Sequence, residues 1–204
     1  MIDNDTALLT INGFLHPNVF EMFLEGVFSE IKERNTKYLI IDIRENGGGN
    51  MLGILLLRHL TEEPFREKSR IDIKISEQFK EITKGNFVGT YDYEVVDNEL
   101  SAYFRESQKD VGMKTSKAEV GSILSYEQPY YIPKPNPQRF NGDVFLLIGD
   151  HTRSAAVTFA AAIKDFEIGK IIGGETGGKA TQYGGYNPCI TLPNSKLVVS
   201  CSNS

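Results

Sequence analysis

Short apolar runs and stretches of helical period alternate along the chain. Thr6-Ala-Leu-Leu-Thr-Ile11 reads as a first strand ending at Asn12-Gly13. Phe20, Phe23, Leu24, Val27, Phe28 and Ile31 then recur at the three- and four-residue spacings of one amphipathic helix face. Asn18 is the expected N-cap, with Glu21 as its capping-box partner, and the helix closes near Arg34-Asn35. Tyr38-Leu-Ile-Ile-Asp-Ile43 follows as a buried strand. Strand, helix, strand in that order predicts a parallel pair joined by a helical crossover.

That strand runs into Arg44-Glu-Asn-Gly-Gly-Gly-Asn50. Consecutive glycines allow backbone shapes and close approaches that a side chain would block. They read either as a tight turn or as a loop aiming a backbone N–H at a bound carbonyl or anion. Asn50 is placed to cap a helix whose face is Leu52, Leu55, Leu56 and His59. No Gly-Lys-Ser/Thr follows the glycines, so this is not a phosphate loop.

Further on, Val144-Phe-Leu-Leu-Ile148 reads as another buried strand, and Ala156, Phe159, Ala160 and Ile163 as a helix face. Ser154 falls where the strand hands over to the helix. A nucleophile gains there from the unpaired N–H groups and positive dipole end of the helix. An N-cap serine would stand in the same place. Lys170-Ile-Ile-Gly173 makes a further strand before Gly174-Glu-Thr-Gly-Gly-Lys179. Cys189–Leu192 and Lys196–Ser200 form a last pair around Pro193-Asn194.

Between Arg58 and Phe140 the pattern changes: 27 of the chain's 49 charged residues lie in these 83 positions, 13 basic and 14 acidic. Mixed signs favour a solvated insertion over a binding patch. Within it, Arg70–Ile75 alternates as a strand, Glu99–Lys117 reads as a polar helix, and Pro129–Pro137 is extended. Tyr130 and Tyr131 either line a groove or pack within that loop.

Composition narrows the classes. A chain of 204 residues suits one domain, residues 1–204, carrying the 58–140 insertion. A net charge of −5 argues against general affinity for nucleic acid. No apolar run approaches the roughly 20 residues of a membrane-spanning helix. Two cysteines, Cys189 and Cys201, make no disulfide framework; they read as free buried thiols, or as a pair where neighbouring strands bring them together. No cluster has metal-ligand spacing, so neither metal nor cofactor is expected.

Two blocks carry a family resemblance. Ile40-Ile-Asp-Ile-Arg-Glu-Asn-Gly-Gly-Gly49 resembles the strand–glycine motif of the C-terminal processing (tail-specific) proteases, serine peptidases related to the tricorn core. Val144–Lys179 resembles their nucleophile block, and Lys179 follows Ser154 by 25 residues, the spacing of the Ser–Lys members. The resemblance covers about the first and last 60 residues in the right order. It implies an α/β fold with a crotonase/ClpP-like core of stacked β-β-α units, and a polypeptide substrate.

Residue by residue, the resemblance makes Ser154 the nucleophile and the amides of Gly48 and Ala155 the oxyanion hole. Lys179 stands where Ser–Lys members place their base. Those members often have a glutamine four residues after the lysine; here that place holds Tyr183, and the glutamine is Gln182. Thr176-Gly-Gly178 looks more like a second branch that uses Ser–His–Glu, whose histidine and acid come from regions outside this chain. His16, His59 and His151 each read as structural, His151 being the one local to Ser154. Asp42 and Arg44 are expected to pair at the strand end, and Glu175 has either a site-side or a structural role. No PDZ module is recognisable, and the missing flanking parts imply a piece of a longer extracytoplasmic protein. Two other readings share the fold: a non-catalytic ligand- or peptide-binding module, and an acyl-CoA hydratase or isomerase that lacks a serine nucleophile.

Overall fold

The computed structural model describes residues 2–3, 5–83, 98–107, 111–181 and 189–200. Two compact units are formed, one from residues 1–67 and 130–180, the other from residues 68–129 and 181–204.

The first unit is an α/β structure around a parallel sheet. Strand β1 (Thr6–Thr10) leads through helix α1 (Pro17–Glu33) to β2 (Tyr38–Asp42). The two strands pair in parallel, Thr6 against Tyr38 through Thr10 against Asp42, as the β-α-β reading anticipates. Helix α1 buries Phe20, Leu24, Phe28 and Ile31, while Phe23 stays 42% exposed, so its buried stripe is narrower than the periodicity suggested. The start of α1 differs from expectation. Pro17 opens the helix, and His16 is the cap in the left-handed region at φ 53°, with no side-chain capping bond. Proline has no N–H to satisfy and its ring presets a helical φ, so the helix begins one residue before Asn18. Glu21 instead accepts from Arg58 Nη2 at 2.6 Å, tying α1 to the end of the next helix.

Helix α2 (Gly53–Leu57) is buried on every side and is capped by Leu52 rather than Asn50. The Asn50 N–H is committed to Phe14 O at 2.8 Å. His59 follows, 3% exposed, stacked on Phe28 at 4.4 Å with Nδ1 3.1 Å from Asn136 Nδ2. Burial, with Arg58 and Arg139 nearby, pushes its pKa down to about 4. It is the satisfied structural histidine the sequence suggested. Phe65 and Tyr131 exchange backbone bonds of 3.0 and 2.7 Å; Tyr131 is buried, so this tyrosine packs within the loop.

In the second unit β3 (Arg70–Lys74) precedes α3 (Glu77–Thr83), α4 (Asn98–Ser107), α5 (Val111–Lys117) and β4 (Ile123–Glu127). The single polar helix expected over 99–117 is therefore two, with 108–110 outside the described residues. Strands β3 and β4 pair antiparallel, and Ile73, Ile75, Phe79 and Tyr126 form a small core of their own.

Back in the first unit, β5 (Asp143–Ile148), α6 (Ala155–Asp165) and β6 (Lys170–Gly173) complete the sheet in the order β1-β2-β5-β6, every neighbouring pair parallel. Helix α6 buries Ala155–Ala160, Ala162 and Ile163, which its alanine-rich sequence allows at close range. Phe14 meets Phe20 and Phe159 edge-on at 5.8 and 5.7 Å, joining α1 to α6. Strands β7 (Cys189–Thr191) and β8 (Val198–Ser200), in the second unit, pair antiparallel with every position exposed. Cys189 is therefore exposed rather than buried, and Cys201 lies outside the described residues.

Candidate active site at the carboxyl ends of the strands

Loops leaving β2, β5 and β6 meet where a parallel α/β sheet characteristically binds ligands, beyond the carboxyl ends of its strands. At the end of β2, Arg44 grips Asp42 with Nε and Nη2 at 3.0 and 2.7 Å, the expected pair. Arg44 beside it holds the Asp42 carboxyl below its ordinary range.

The turn after β5 is organised by Thr152, which is fully buried. Its hydroxyl donates to Ile43 O at 2.8 Å and accepts from the Gly149 N–H at 3.0 Å, linking the ends of β2 and β5. Its carbonyl accepts from the Gly177 N–H at 3.1 Å, which brings in the loop after β6. The next amide, Arg153, donates to Asn46 O at 3.0 Å and joins this turn to the glycine loop.

Ser154 follows with φ 51° and ψ −125°, and its hydroxyl makes no capping hydrogen bond to α6. A capping serine sits in the extended region and accepts from the N2 or N3 amide. Ser154 does neither, so the cap reading fails. Positive φ at a residue with a side chain costs about 1–3 kcal/mol and persists only where the surroundings over-determine it. The bonds of Thr152 and Arg153 supply that constraint. The serine is exposed.

Beyond it the first turn of α6 presents one amide of particular use. Ala156 donates to Arg153 O at 3.1 Å, and Val157 and Thr158 to Ser154 O at 2.9 and 3.3 Å. The Ala155 N–H has no partner among the described residues. Gly48 lies directly against it. A methyl built on Gly48 would stand 2.7 Å from Ser154 Cβ, 2.8 Å from Arg153 O and 3.0 Å from Ala155 N. Only glycine fits there, which explains at least one member of the triplet.

Gly48, Ser154 and Ala155 thus come together, but the Gly48 N–H is not free. It donates to Asn46 Oδ1 at 2.8 Å. Lys179 belongs to the same unit, and the residue before it reaches the site: a methyl on Gly178 would lie 3.6 Å from Ser154 N. The lysine side chain is exposed and has no hydrogen bond to Ser154 among the described residues. Gln182 and Tyr183 lie outside the described residues. His151 is exposed, its ring nitrogens 3.7 Å from Glu45 and 3.9 Å from Asp150, and Glu175 is exposed as well. Among the described residues no group of three or more His, Cys, Asp or Glu could hold a metal ion, and no helix is long and apolar enough to cross a membrane.

Asn46 and Thr152 were not singled out from the sequence. The only available signals were an asparagine two residues before a glycine, the pattern of an Asx turn, and a threonine inside a strand-to-helix turn.

The first unit is thus an α/β fold on a parallel sheet, with a strained serine at a strand-to-helix turn beside a helix amide that has no partner among the described residues. The chain belongs to peptidase family S41, whose model matches residues 5–198. Among solved structures, mature CPAF complexed with lactacystin is 19% identical with a TM-score of 0.59, over 97% of this chain and 42% of that one. A putative peptidase from Parabacteroides merdae is 18% identical with a TM-score of 0.54, over 100% of this chain and 49% of that one. These likenesses establish a shared fold, and the chain spans less than half the length of either structure. No curated protein sequence matches it.

Proposed function

We propose that this chain carries the nucleophile and oxyanion-binding half of a serine endopeptidase acting on polypeptides. Ser154 Oγ attacks the scissile carbonyl carbon, the amide C–N bond breaks with a proton passing to the leaving amine, and water then releases the acyl group from Ser154. The Ala155 N–H, joined by that of Gly48, faces the oxygen on which charge develops. The observation that carries this reading is the Ser154 backbone at φ 51° without a capping bond, alongside the unpartnered Ala155 amide. A serine that only capped its helix would have no reason to hold a strained backbone.

The base is Lys179 or a histidine supplied from outside these residues. A lysine works as a base only where its ammonium is desolvated, and Lys179 is exposed here. The closeness of its neighbour Gly178 to Ser154 supports the lysine reading. The finer fold reading, a crotonase/ClpP-like core of stacked units interrupted by the charged 58–140 stretch, and an extracytoplasmic location complete the proposal.

A fluorophosphonate probe tests it in the full-length protein. Labelling that disappears in Ser154→Ala supports the nucleophile. Its loss also in Lys179→Ala supports a Ser–Lys pair, whereas labelling that survives Lys179→Ala assigns the base to a residue elsewhere. No labelling of Ser154 in the full-length protein refutes the peptidase reading and favours a binding module on the same fold.

A further inference from the structure

We propose that Asn46 is a positioning residue that sets the direction of the Gly47–Gly48 peptide, turning the Gly48 N–H away from Ser154 in this structure and releasing it when substrate binds. The inference rests on the serine-peptidase reading and concerns control of the same site.

Asn46 is fully buried, and its backbone is pinned at both ends: its N–H donates to Ile43 O at 3.0 Å and its carbonyl accepts from Arg153 N–H at 3.0 Å. Its side-chain orientation follows from chemistry. Oδ1 must face the Gly48 N–H, because Nδ2 in that place would set two donors against each other. That choice leaves Nδ2 buried without a partner among the described residues. An orphaned buried donor is rare and calls for an explanation.

The chain beyond is pinned as well. Gly48 O accepts from Phe14 N–H at 2.9 Å and the Asn50 N–H donates to Phe14 O at 2.8 Å. Between these fixed ends the Gly47–Gly48 peptide is held, among the described residues, through its N–H alone, by the bond to Asn46 Oδ1, and it joins two glycines. Rotating this peptide plane by about 180° alters only ψ of Gly47 and φ of Gly48. Gly48 then moves from φ 100° to about −80°, and both regions are open to glycine.

The rotation turns the Gly48 N–H outward and puts the Gly47 carbonyl in its former place. Turning the Asn46 carboxamide over then brings Nδ2 to that carbonyl, and the orphaned donor finds a partner. A carboxamide satisfies the loop in both states because it carries a donor and an acceptor at one end. The released N–H belongs to the residue on which a Cβ would stand 2.7 Å from Ser154 Cβ and 3.0 Å from Ala155 N, so it completes the second half of the oxyanion hole.

The test is Asn46→Asp in the full-length protein, with kcat and KM measured on a peptide and Ser154 labelling by a fluorophosphonate. A carboxylate only accepts and holds the Gly48 N–H inward. The expected result is an unchanged KM with kcat and labelling rate lower by about 10²–10³, the loss typical of one oxyanion donor. Wild-type kcat and labelling in Asn46→Asp overturn the inference and leave the peptidase reading standing. Absence of labelling in the wild type overturns both. Because a buried carboxylate can impair folding, the crystal structure of the wild-type phosphonate adduct on Ser154 is the second measurement. It should show the Gly48 N–H about 2.7–3.1 Å from the phosphoryl oxygen and Asn46 Nδ2 on Gly47 O. A Gly48 N–H still on Asn46 Oδ1 in the adduct overturns the inference.

Discussion

Gly48→Ala probes the close approach from which the site is built. Two costs combine. At φ 100° an L-residue is strained by roughly 1–2 kcal/mol. The new methyl would also stand 2.7 Å from Ser154 Cβ and 2.8 Å from Arg153 O, distances that Cβ atoms do not adopt. These neighbours are a backbone carbonyl and the first side-chain carbon of Ser154, so relief requires moving the whole turn. Overpacking of that kind costs about 1–3 kcal/mol. Together the substitution should destabilise the protein by about 2–5 kcal/mol and slow phosphonylation of Ser154 by at least about tenfold, through displacement of the turn. Urea unfolding followed by circular dichroism is the stability assay, since the chain has no tryptophan. Gly47→Ala is the internal control: a methyl there meets nothing within 4 Å, and its expected effect on stability is within about 1 kcal/mol. If Gly48→Ala unfolds with the wild type and labels at the wild-type rate, Gly48 does not touch Ser154 and the site as described is wrong.

Four further outcomes follow from the same geometry. Thr152→Val takes away one of the two donors to the buried Ile43 carbonyl, which keeps the Asn46 N–H, and leaves the Gly149 amide without its acceptor; it should cost about 1–2 kcal/mol, while Thr152→Ser keeps both bonds and most of the stability, and equal urea midpoints for the two variants would contradict this. Phe14→Ala removes a fully buried ring that packs on Phe20 and Phe159 and should cost about 3–5 kcal/mol in the same assay, a loss under 1 kcal/mol arguing against that packing. The His59 pKa is about 4 when folded and near 6.5 when unfolded, so the unfolded chain takes up the proton first; stability is complete above pH 6.5 and falls by up to about 3 kcal/mol as the pH drops to 4, a slope that urea titrations should show and that His59→Phe should abolish. Ser154→Gly should raise stability by about 1 kcal/mol or more as it loses all labelling, because glycine carries no penalty at φ 51°; a destabilised variant would mean that the serine backbone is unstrained.

What could be read from the sequence was what depends on spacing. The period of Phe20, Leu24, Phe28 and Ile31 located α1, and the apolar runs located β2, β5 and β6. The handover at Ser154 and the glycines before Asn50 were visible for the same reason. What depended on the direction of a single group was not. Asn18 looked like a cap, yet Pro17 had already opened the helix. The spacing to Lys179 was plain, but its exposure was not. The glycine triplet suggested a free N–H, whereas the N–H of Gly48 is committed to Asn46, a bond set by one side-chain torsion. Charge density along the 58–140 stretch does not separate solvated residues from those that bond within the first unit. Arg58 bonds Glu21 of α1, Arg139 lies 3.3 Å from Glu62, and Tyr131 pairs with Phe65, all within the first unit.

The position of the site follows from the same accounting of polar groups that stabilises the sheet. A parallel strand that stops inside the protein leaves backbone groups to be satisfied. At the end of β2, Ile43 O accepts from the Asn46 N–H and the Thr152 hydroxyl; at the end of β5, the Gly149 N–H donates to that hydroxyl's oxygen. With the Arg153 N–H on Asn46 O, these bonds fix Asn46 at the start of the glycine loop and the two residues before Ser154. Satisfying the strand ends therefore clamps the serine in a conformation it would not choose alone, while the Ala155 amide, one step into the helix, is left without a partner among the described residues. Strain at Ser154 and order at Thr152 are two consequences of one network, so weakening Thr152 should relax the serine backbone and lower its reactivity before the fold is lost.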